Sequence, residues 1–96
     1  MLQQVTIKTH HKATLRPILR SALDGQQKMV SFGLQKTRQR LAEFEQEFGM
    51  NSEEFEQRLN AGELDETVAF TDWRMELGMV RLLEEQYQAL QEAQIG

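Results

Sequence analysis

The feature that most constrains this chain is a run of apolar residues at helical spacing. Its steps are four, three, four, three and four, and its positions, of which one threonine interrupts the apolar series, are Val30, Leu34, Thr37, Leu41, Phe44 and Phe48. Such steps place the side chains on one face of an α-helix, like the seam of a coiled coil. Gly49 follows the last position, as a helix C-cap does. We therefore predict a helix that ends at Phe48.

The helical pattern also extends towards the N-terminus, through Leu15, Ile18, Leu19, Ala22 and Leu23. Gly25 and Gly33 each cost a helix interior about 1 kcal/mol relative to alanine, and Asp24-Gly25 is also a turn signal. Good helix formers follow Gly25, so we predict one helix over residues 14–48, about 52 Å long. A compact domain of this length has a radius of gyration of only about 12–13 Å. An apolar seam that overhangs its own domain needs a partner, so we expect a homodimer.

Residues 49–55 are the clearest break in the chain. Gly49 ends the first helix, and either Asn51 or Ser52 caps a short second helix over residues 52–61. A last helix over residues 70–93 carries a second apolar stripe. The residues that we predict to form the core or interface seam are Val30, Leu34, Leu41, Phe44, Phe48, Trp73, Leu77, Val80, Leu83, Tyr87 and Leu90.

At the N-terminus, Val5 and Ile7 alternate with polar residues, which is typical of a short half-buried strand within residues 1–9. The predicted fold is therefore an all-α, long helical hairpin with a short connecting helix and one short N-terminal β-strand. It forms a single domain over residues 1–96, and the expected assembly is a homodimer.

The charge of −4 is divided unevenly along the chain. Residues 1–42 hold eight basic residues and one acidic residue, whereas residues 43–96 hold three basic and fourteen acidic residues. Two explanations remain open. Complementary faces of the two halves, or of two copies, can pack together, or the basic half can bind nucleic acid.

The residue types offer little for catalysis or metal binding. The chain has no cysteine, and its two histidines, His10 and His11, are adjacent and so point in different directions. It contains no nucleophile-elbow, phosphate-loop, EF-hand or Glu-x-x-His motif. We therefore predict no catalytic residue, no metal site and no cofactor. No apolar run reaches the ~18 residues that span a bilayer, so we expect a cytoplasmic protein without membrane contact.

One pattern favours DNA binding. A strand that carries Gln4, Thr6 and Lys8 on one face, followed by Lys12 and then by a basic helix with Arg16 and Arg20, is typical of ribbon-helix-helix proteins, and these six residues are the predicted nucleic-acid contacts. In those proteins the strands of two chains pair and enter the major groove. The competing interpretation is that Val5 and Ile7 simply cover the end of the helical core.

Three segments together resemble a family of small, mostly uncharacterised prokaryotic helical proteins. The segments are L-A-E-F-E-Q-E-F-G-M-N-S-E-E-F at residues 41–55, A-G-E-L-D at residues 61–65 and A-F-T-D-W at residues 69–73. The family pattern prefers an acidic residue at Ala69 and tyrosine at Phe48. Genes of this family are often found beside toxin genes, so the resemblance implies an antitoxin-like role.

The function that we expect is non-enzymatic protein–protein interaction, as an antitoxin-like protein or a regulatory adaptor. Its partners would be a second copy of the chain and a cognate toxin or other protein. A DNA-binding module that uses the basic N-terminal half is the first alternative. A purely structural dimerisation module is the second.

Overall fold

The computed structural model describes residues 3–95, with side chains for residues 6–93. Within these residues, three helices follow one another: α1 over Lys12–Phe48, α2 over Ser52–Asn60 and α3 over Val68–Glu92. In the same range, two short strands, β1 over Gln3–Val5 and β2 over Ala93–Ile95, flank the helices. The fold is therefore helical, as predicted, and the helix bounds lie within two residues of the predicted ones.

Helix α1 is continuous through both of its internal glycines. Its 37 residues correspond to about 55 Å at 1.5 Å per residue. Pro17 lies in the second turn of the helix, and the first intrahelical hydrogen bonds run from the amides of Thr14 and Leu15 to the carbonyl of His11. The turn signal at Asp24-Gly25 is overridden, because helix formers surround it on both sides.

Helix α3 packs antiparallel against the C-terminal two-thirds of α1. The rings of Phe44 and Trp73 have centroids 5.5 Å apart, and Arg40 donates to Glu76 at 3.0 Å. Nearer the N-terminus of α1, Gly33 lies against the side chain of Leu83, which is nearer the C-terminus of α3. These pairs run in opposite directions along the two helices, which is the predicted hairpin.

The apolar core consists of seam residues that the sequence predicted, together with one from α2. The buried apolar residues are Val30, Leu34, Leu41, Phe55, Trp73, Leu77 and Val80, and Phe44, Phe48, Leu83, Tyr87 and Leu90 are half-buried against them. Thr37, which interrupts the seam, is also buried. The seam of α1 is therefore filled by α3 of the same chain over this length.

The corner between α1 and α3 is built around Trp73. Gly49 ends α1 in the left-handed conformation at φ 66°, and Asn51 caps α2 by accepting from the amide of Glu54 at 2.8 Å. Phe55 of α2 is fully buried and stacks on Trp73 with ring centroids 3.9 Å apart. The sequence left the cap open between Asn51 and Ser52, and the structure assigns it to Asn51.

Strand β1 pairs in parallel with β2, with Gln3 opposite Ala93 and Val5 opposite Ile95. The sequence predicted a strand within residues 1–9 that would include Ile7. Residues 6–9 are instead irregular, and Ile7 is exposed. Residues 1 and 2 of the predicted strand lie outside the described residues.

The molecule is elongated. Its principal extents are 59 × 21 × 19 Å and its radius of gyration is 18.7 Å, against about 12–13 Å for a compact domain of this length. Its accessible surface is 7405 Å², whereas a compact monomer of 11.2 kDa exposes about 5,700 Å². The chain thus leaves roughly 1,700 Å² more surface exposed than a compact monomer of its mass.

Candidate functional site

The N-terminal third of α1 extends beyond α3. Since Gly33 is level with Leu83 and the helices are antiparallel, Glu92 at the end of α3 is about level with Asp24. Residues 12–23 of α1 therefore project past the helical hairpin by about 18 Å. We call this segment the overhang. It is the projecting helix that the sequence predicted.

An exposed apolar stripe begins in the overhang. Its positions have the steps four, three, four and three, and they are Ile18, Ala22, Gly25, Met29 and Phe32, here called the α1 stripe. All five are exposed, with 58% of Ile18, 69% of Met29 and 61% of Phe32 accessible. Steps of three and four keep these residues on one side of α1, apart from the buried seam.

The α1 stripe corrects the grouping that the sequence suggested. Leu15, Leu19 and Leu23 are half-buried, whereas Ile18 and Ala22 are exposed. The predicted single stripe of the N-terminal segment is therefore two stripes on different sides of α1. Because a 3.6-residue period places neighbouring residues about 100° apart, Ile18 and Leu19 belong to different sides.

The two glycines inside α1 have different surroundings. A Cβ atom on Gly33 would lie 3.3 Å from Cδ1 of Leu83, so this glycine allows α3 to approach closely. A Cβ atom on Gly25 would meet nothing within 4 Å. Packing within the chain therefore explains why residue 33 is glycine. It does not explain the glycine at residue 25, which weakens the helix.

A second exposed apolar stripe lies on α3. Its members are Val68, Met75, Met79 and Leu82, here called the methionine stripe. Their accessible fractions are 80%, 67%, 47% and 49%. Asp72 occupies the remaining position of the same four-three spacing. Unbranched, polarisable methionine side chains adapt to differently shaped partners, so such a stripe suits protein contact.

An acidic groove borders the methionine stripe. It is an open hollow of about 300 Å³ between α1 and α3, lined by Arg40, Glu43, Phe44, Glu47, Asp72, Met75 and Glu76. Four of these residues are carboxylates, and the one guanidinium donates to Glu76 at 3.0 Å. Met75 belongs to both the groove and the stripe. The groove therefore combines an apolar floor with net negative charge.

Some basic residues of the N-terminal half form ion pairs with acidic residues of the C-terminal half of the same chain. Arg40 pairs with Glu76, and Arg38 lies 3.5 Å from Glu84, so α3 offsets two of the positive charges in the middle of α1. Among the residues that the structure describes, the basic residues of the overhang have no such partner, because α3 ends before it reaches them. This confirms complementary faces for one part of the basic half.

Basic residues lie along one side of the overhang. We call the three of them, Lys12, Arg16 and Arg20, the basic ridge. Lys12, Arg16 and Arg20 line one hollow of about 420 Å³ with Ala13 and Pro17. All three are exposed, and none makes an ion pair with another described residue. Of the other predicted nucleic-acid contacts, Thr6 and Lys8 are exposed outside any strand, and the side chain of Gln4 lies outside the described part of the structure.

The closest ion pair links α2 to α3. Arg81 donates to both carboxylate oxygens of Glu56, at 2.6 and 2.8 Å. These hydrogen bonds lower the pKa of Glu56 below its usual value and raise that of Arg81. A bidentate pair of this kind links the short connecting helix to α3.

The exposed stripes are the features that sequence reasoning missed. The signal was present, since both follow the same four-three spacing as the buried seam. A single sequence cannot show which of two parallel stripes faces α3. For residues 3–95, the structure also shows no group of three or more acidic, histidine or cysteine side chains suited to a metal ion.

None of the described helices is long and apolar enough to cross a membrane. Comparison of the chain with protein-family models, with curated proteins and with solved structures finds no match. The resemblance to small prokaryotic antitoxin-like proteins therefore stays a prediction.

Proposed function

We propose that this protein is a non-enzymatic protein-interaction module, of the antitoxin-like or adaptor kind, that binds a partner protein through α3. The observation that carries the proposal is the methionine stripe bordered by the acidic groove. The stripe supplies apolar contact area of which 47–80% of each side chain is accessible. The groove supplies charge that favours a basic partner.

The partner that fits this surface has an apolar centre and a basic rim. Apolar centres with polar rims are the usual anatomy of protein interfaces, and complementary charge speeds association. The acidic C-terminal half of the chain extends the negative field around the groove. A basic protein is therefore attracted from a distance and then held by the methionine stripe.

The experiment co-expresses the chain with the product of the adjacent gene and measures their affinity by calorimetry. Met79→Lys, in the middle of the stripe, should weaken binding at least about tenfold, because it places an uncompensated charge in the contact. Gln91→Lys, an exposed position of α3 outside the stripe, is the matched control and should change affinity little.

A growth assay adds the biological readout. If the neighbouring product is toxic, the wild-type chain should neutralise it, and Met79→Lys should do so less well than Gln91→Lys. Absence of binding, or equal effects of the two variants, would overturn the proposal.

The basic ridge of the overhang favours nucleic-acid binding as a second candidate. Three cations at steps of four residues on one projecting helix, without an ion pair to another described residue, are suited to contact successive phosphates. The ribbon-helix-helix layout is not the basis of this candidate, because that layout needs a helix end near Gly25 and α1 continues through it. Binding would use the side of α1 instead.

A gel shift with duplex DNA tests this second candidate. The wild-type chain should retard DNA at low salt, and Arg16→Gln with Arg20→Gln should weaken retardation. Gln35→Ala with Gln39→Ala is the uncharged control on the same helix. Failure of the wild-type chain to retard DNA at low salt would exclude the ridge as a nucleic-acid site.

A further inference from the structure

We infer that the α1 stripe is the interface of an antiparallel homodimer whose two-fold axis passes beside Gly25. This interface uses residues of α1, whereas the proposed partner site lies on the methionine stripe of α3. The two surfaces therefore have separate tests.

The first support is the pattern of the α1 stripe about its centre. Its members stand seven and three residues before Gly25, and four and seven residues after it. In an antiparallel pair centred there, Ile18 lies opposite Phe32 of the second copy, and Ala22 lies opposite Met29. Large residues thus meet at each end, the small Ala22 lies opposite the long Met29, and glycine meets glycine at the centre. The stripe complements a copy of itself, as a two-fold interface requires.

The second support is Gly25 itself. The helix gives up about 1 kcal/mol by carrying glycine rather than alanine here, and nothing in the chain lies within 4 Å of the position of the absent Cβ atom. Elsewhere in this helix, a glycine serves close packing, because Gly33 lets Leu83 of α3 approach α1 closely. Two helices that cross at Gly25 and Ala22 can approach each other in the same way.

The third support is area. The chain exposes about 1,700 Å² more than a compact monomer of its mass, or about 3,400 Å² for two chains. Permanent dimers commonly bury about 2,000–5,000 Å² in total. The excess accompanies the elongated shape of the molecule, whose longest extent is 59 Å. The surface available to a second copy is therefore of the size that permanent dimers bury.

The basic residues of the overhang do not oppose this arrangement, and one further charge, that of Lys36, lies 5.1 Å from the ring centroid of Phe32 at the end of the stripe. At 100° per residue, Arg16 and Arg20 lie on the side of α1 away from the stripe, so the two basic ridges face solvent. No opposite charges are joined across the stripes either. Raised salt should therefore leave the dimer unchanged or tighten it, in contrast to a dimer that is held together by the acidic and basic halves.

The test begins with sedimentation equilibrium of the full chain over a range of concentrations. We expect a reversible monomer–dimer equilibrium. Ile18→Glu and Phe32→Lys should each weaken the dimer at least about tenfold. The double variant should recover most of that loss, because the introduced carboxylate of one copy then lies beside the introduced ammonium of the other. Circular dichroism should show that the helix content of each variant is unchanged, since both side chains are exposed.

Disulfide trapping checks the register in a chain that has no native cysteine. Gly25→Cys should form a covalent dimer under mild oxidation, because the two copies of this position meet at the axis. Ser31→Cys, exposed on another side of α1, should not. A wild-type chain that stays monomeric, a double variant without recovery, or equal trapping of the two cysteines would overturn the inference.

Discussion

The indole N–H of Trp73 donates to the hydroxyl of Ser52 at 3.0 Å, which ties the middle of the core to the first residue of α2. The backbone amide of Ser52 in turn donates to Glu45 of α1 at 2.7 Å. One serine therefore joins all three helices at the corner. Because Trp73 is fully buried, its indole N–H has no water to replace this acceptor.

Ser52→Ala should therefore destabilise the protein by about 1–3 kcal/mol, the usual cost of a buried donor left without a partner. Chemical denaturation monitored by tryptophan fluorescence measures this free energy of unfolding. Ser31→Ala, an exposed serine of α1, is the control and should change it by less than about 0.5 kcal/mol. Equal values for the two serines would mean that the hydrogen bond contributes nothing.

Leu41→Ala should lower the free energy of unfolding by about 2–5 kcal/mol. Leu41 of α1 is buried in the core, and truncation of its side chain leaves a cavity. The change in midpoint of thermal or urea unfolding reports this loss. Gln39→Ala on the exposed side of the same helix should stay within about 0.5 kcal/mol of the wild type. A loss of that small size at Leu41 would show that the seam faces solvent.

Substitution of the two helix glycines should give different results. At low protein concentration, Gly25→Ala should stabilise the fold by about 0.5–1 kcal/mol, because alanine favours the helix and meets no neighbour. Gly33→Ala should gain less, since its Cβ atom would lie 3.3 Å from Leu83. Unfolding of both variants in parallel measures the difference, and equal gains would contradict the packing at Gly33.

The pair formed by Glu56 and Arg81 should make stability depend on pH. Because the pKa of Glu56 is lowered in the folded protein, its ion pair stabilises the fold at neutral pH and loses this effect as pH falls through that pKa. Glu56→Gln should cost about 0.5–1 kcal/mol at pH 7, as expected for a largely exposed pair.

The same Glu56→Gln variant should match the wild type in acid, where the carboxyl of Glu56 is protonated. Unfolding free energies measured from about pH 7 down through the lowered pKa of Glu56 test this convergence. Glu85→Gln, at an exposed glutamate without an ion pair to another described residue, should differ little from the wild type throughout. A constant offset for Glu56→Gln at every pH would exclude the ion pair as its cause.

Much of the fold follows from local patterns in the chain. The seam of α1, the stop at Gly49, the short helix after Asn51 and the stripe that begins at Trp73 are readable because each depends on residues close in sequence. Continuity through Gly25 was also predicted, since helix formers on both sides outweigh one glycine. The pairing of β1 with β2 was not predicted, because it joins the two ends of the described chain.

For the two exposed stripes too, the sequence shows the spacing of the residues and the structure shows their exposure. The spacing of Ile18, Met29 and Phe32 was visible in the sequence, yet it did not distinguish an exposed stripe from a buried one. The same is true of Met75 and Met79 on α3. Only the position of α3 along α1 shows which stripe is covered, because covering is a contact between distant segments.

By itself, the sequence determined the helices, their ends and the absence of cysteine chemistry, since these depend on residue type and on neighbours a few positions away. The tertiary structure decided that α3 stops near the level of Asp24, that Gly33 is filled by Leu83 and that Gly25 is not. The physical reason is that burial depends on which surfaces meet in space. A helical period gives each residue a side of its helix, and the packing of the whole chain decides which side is left for a partner.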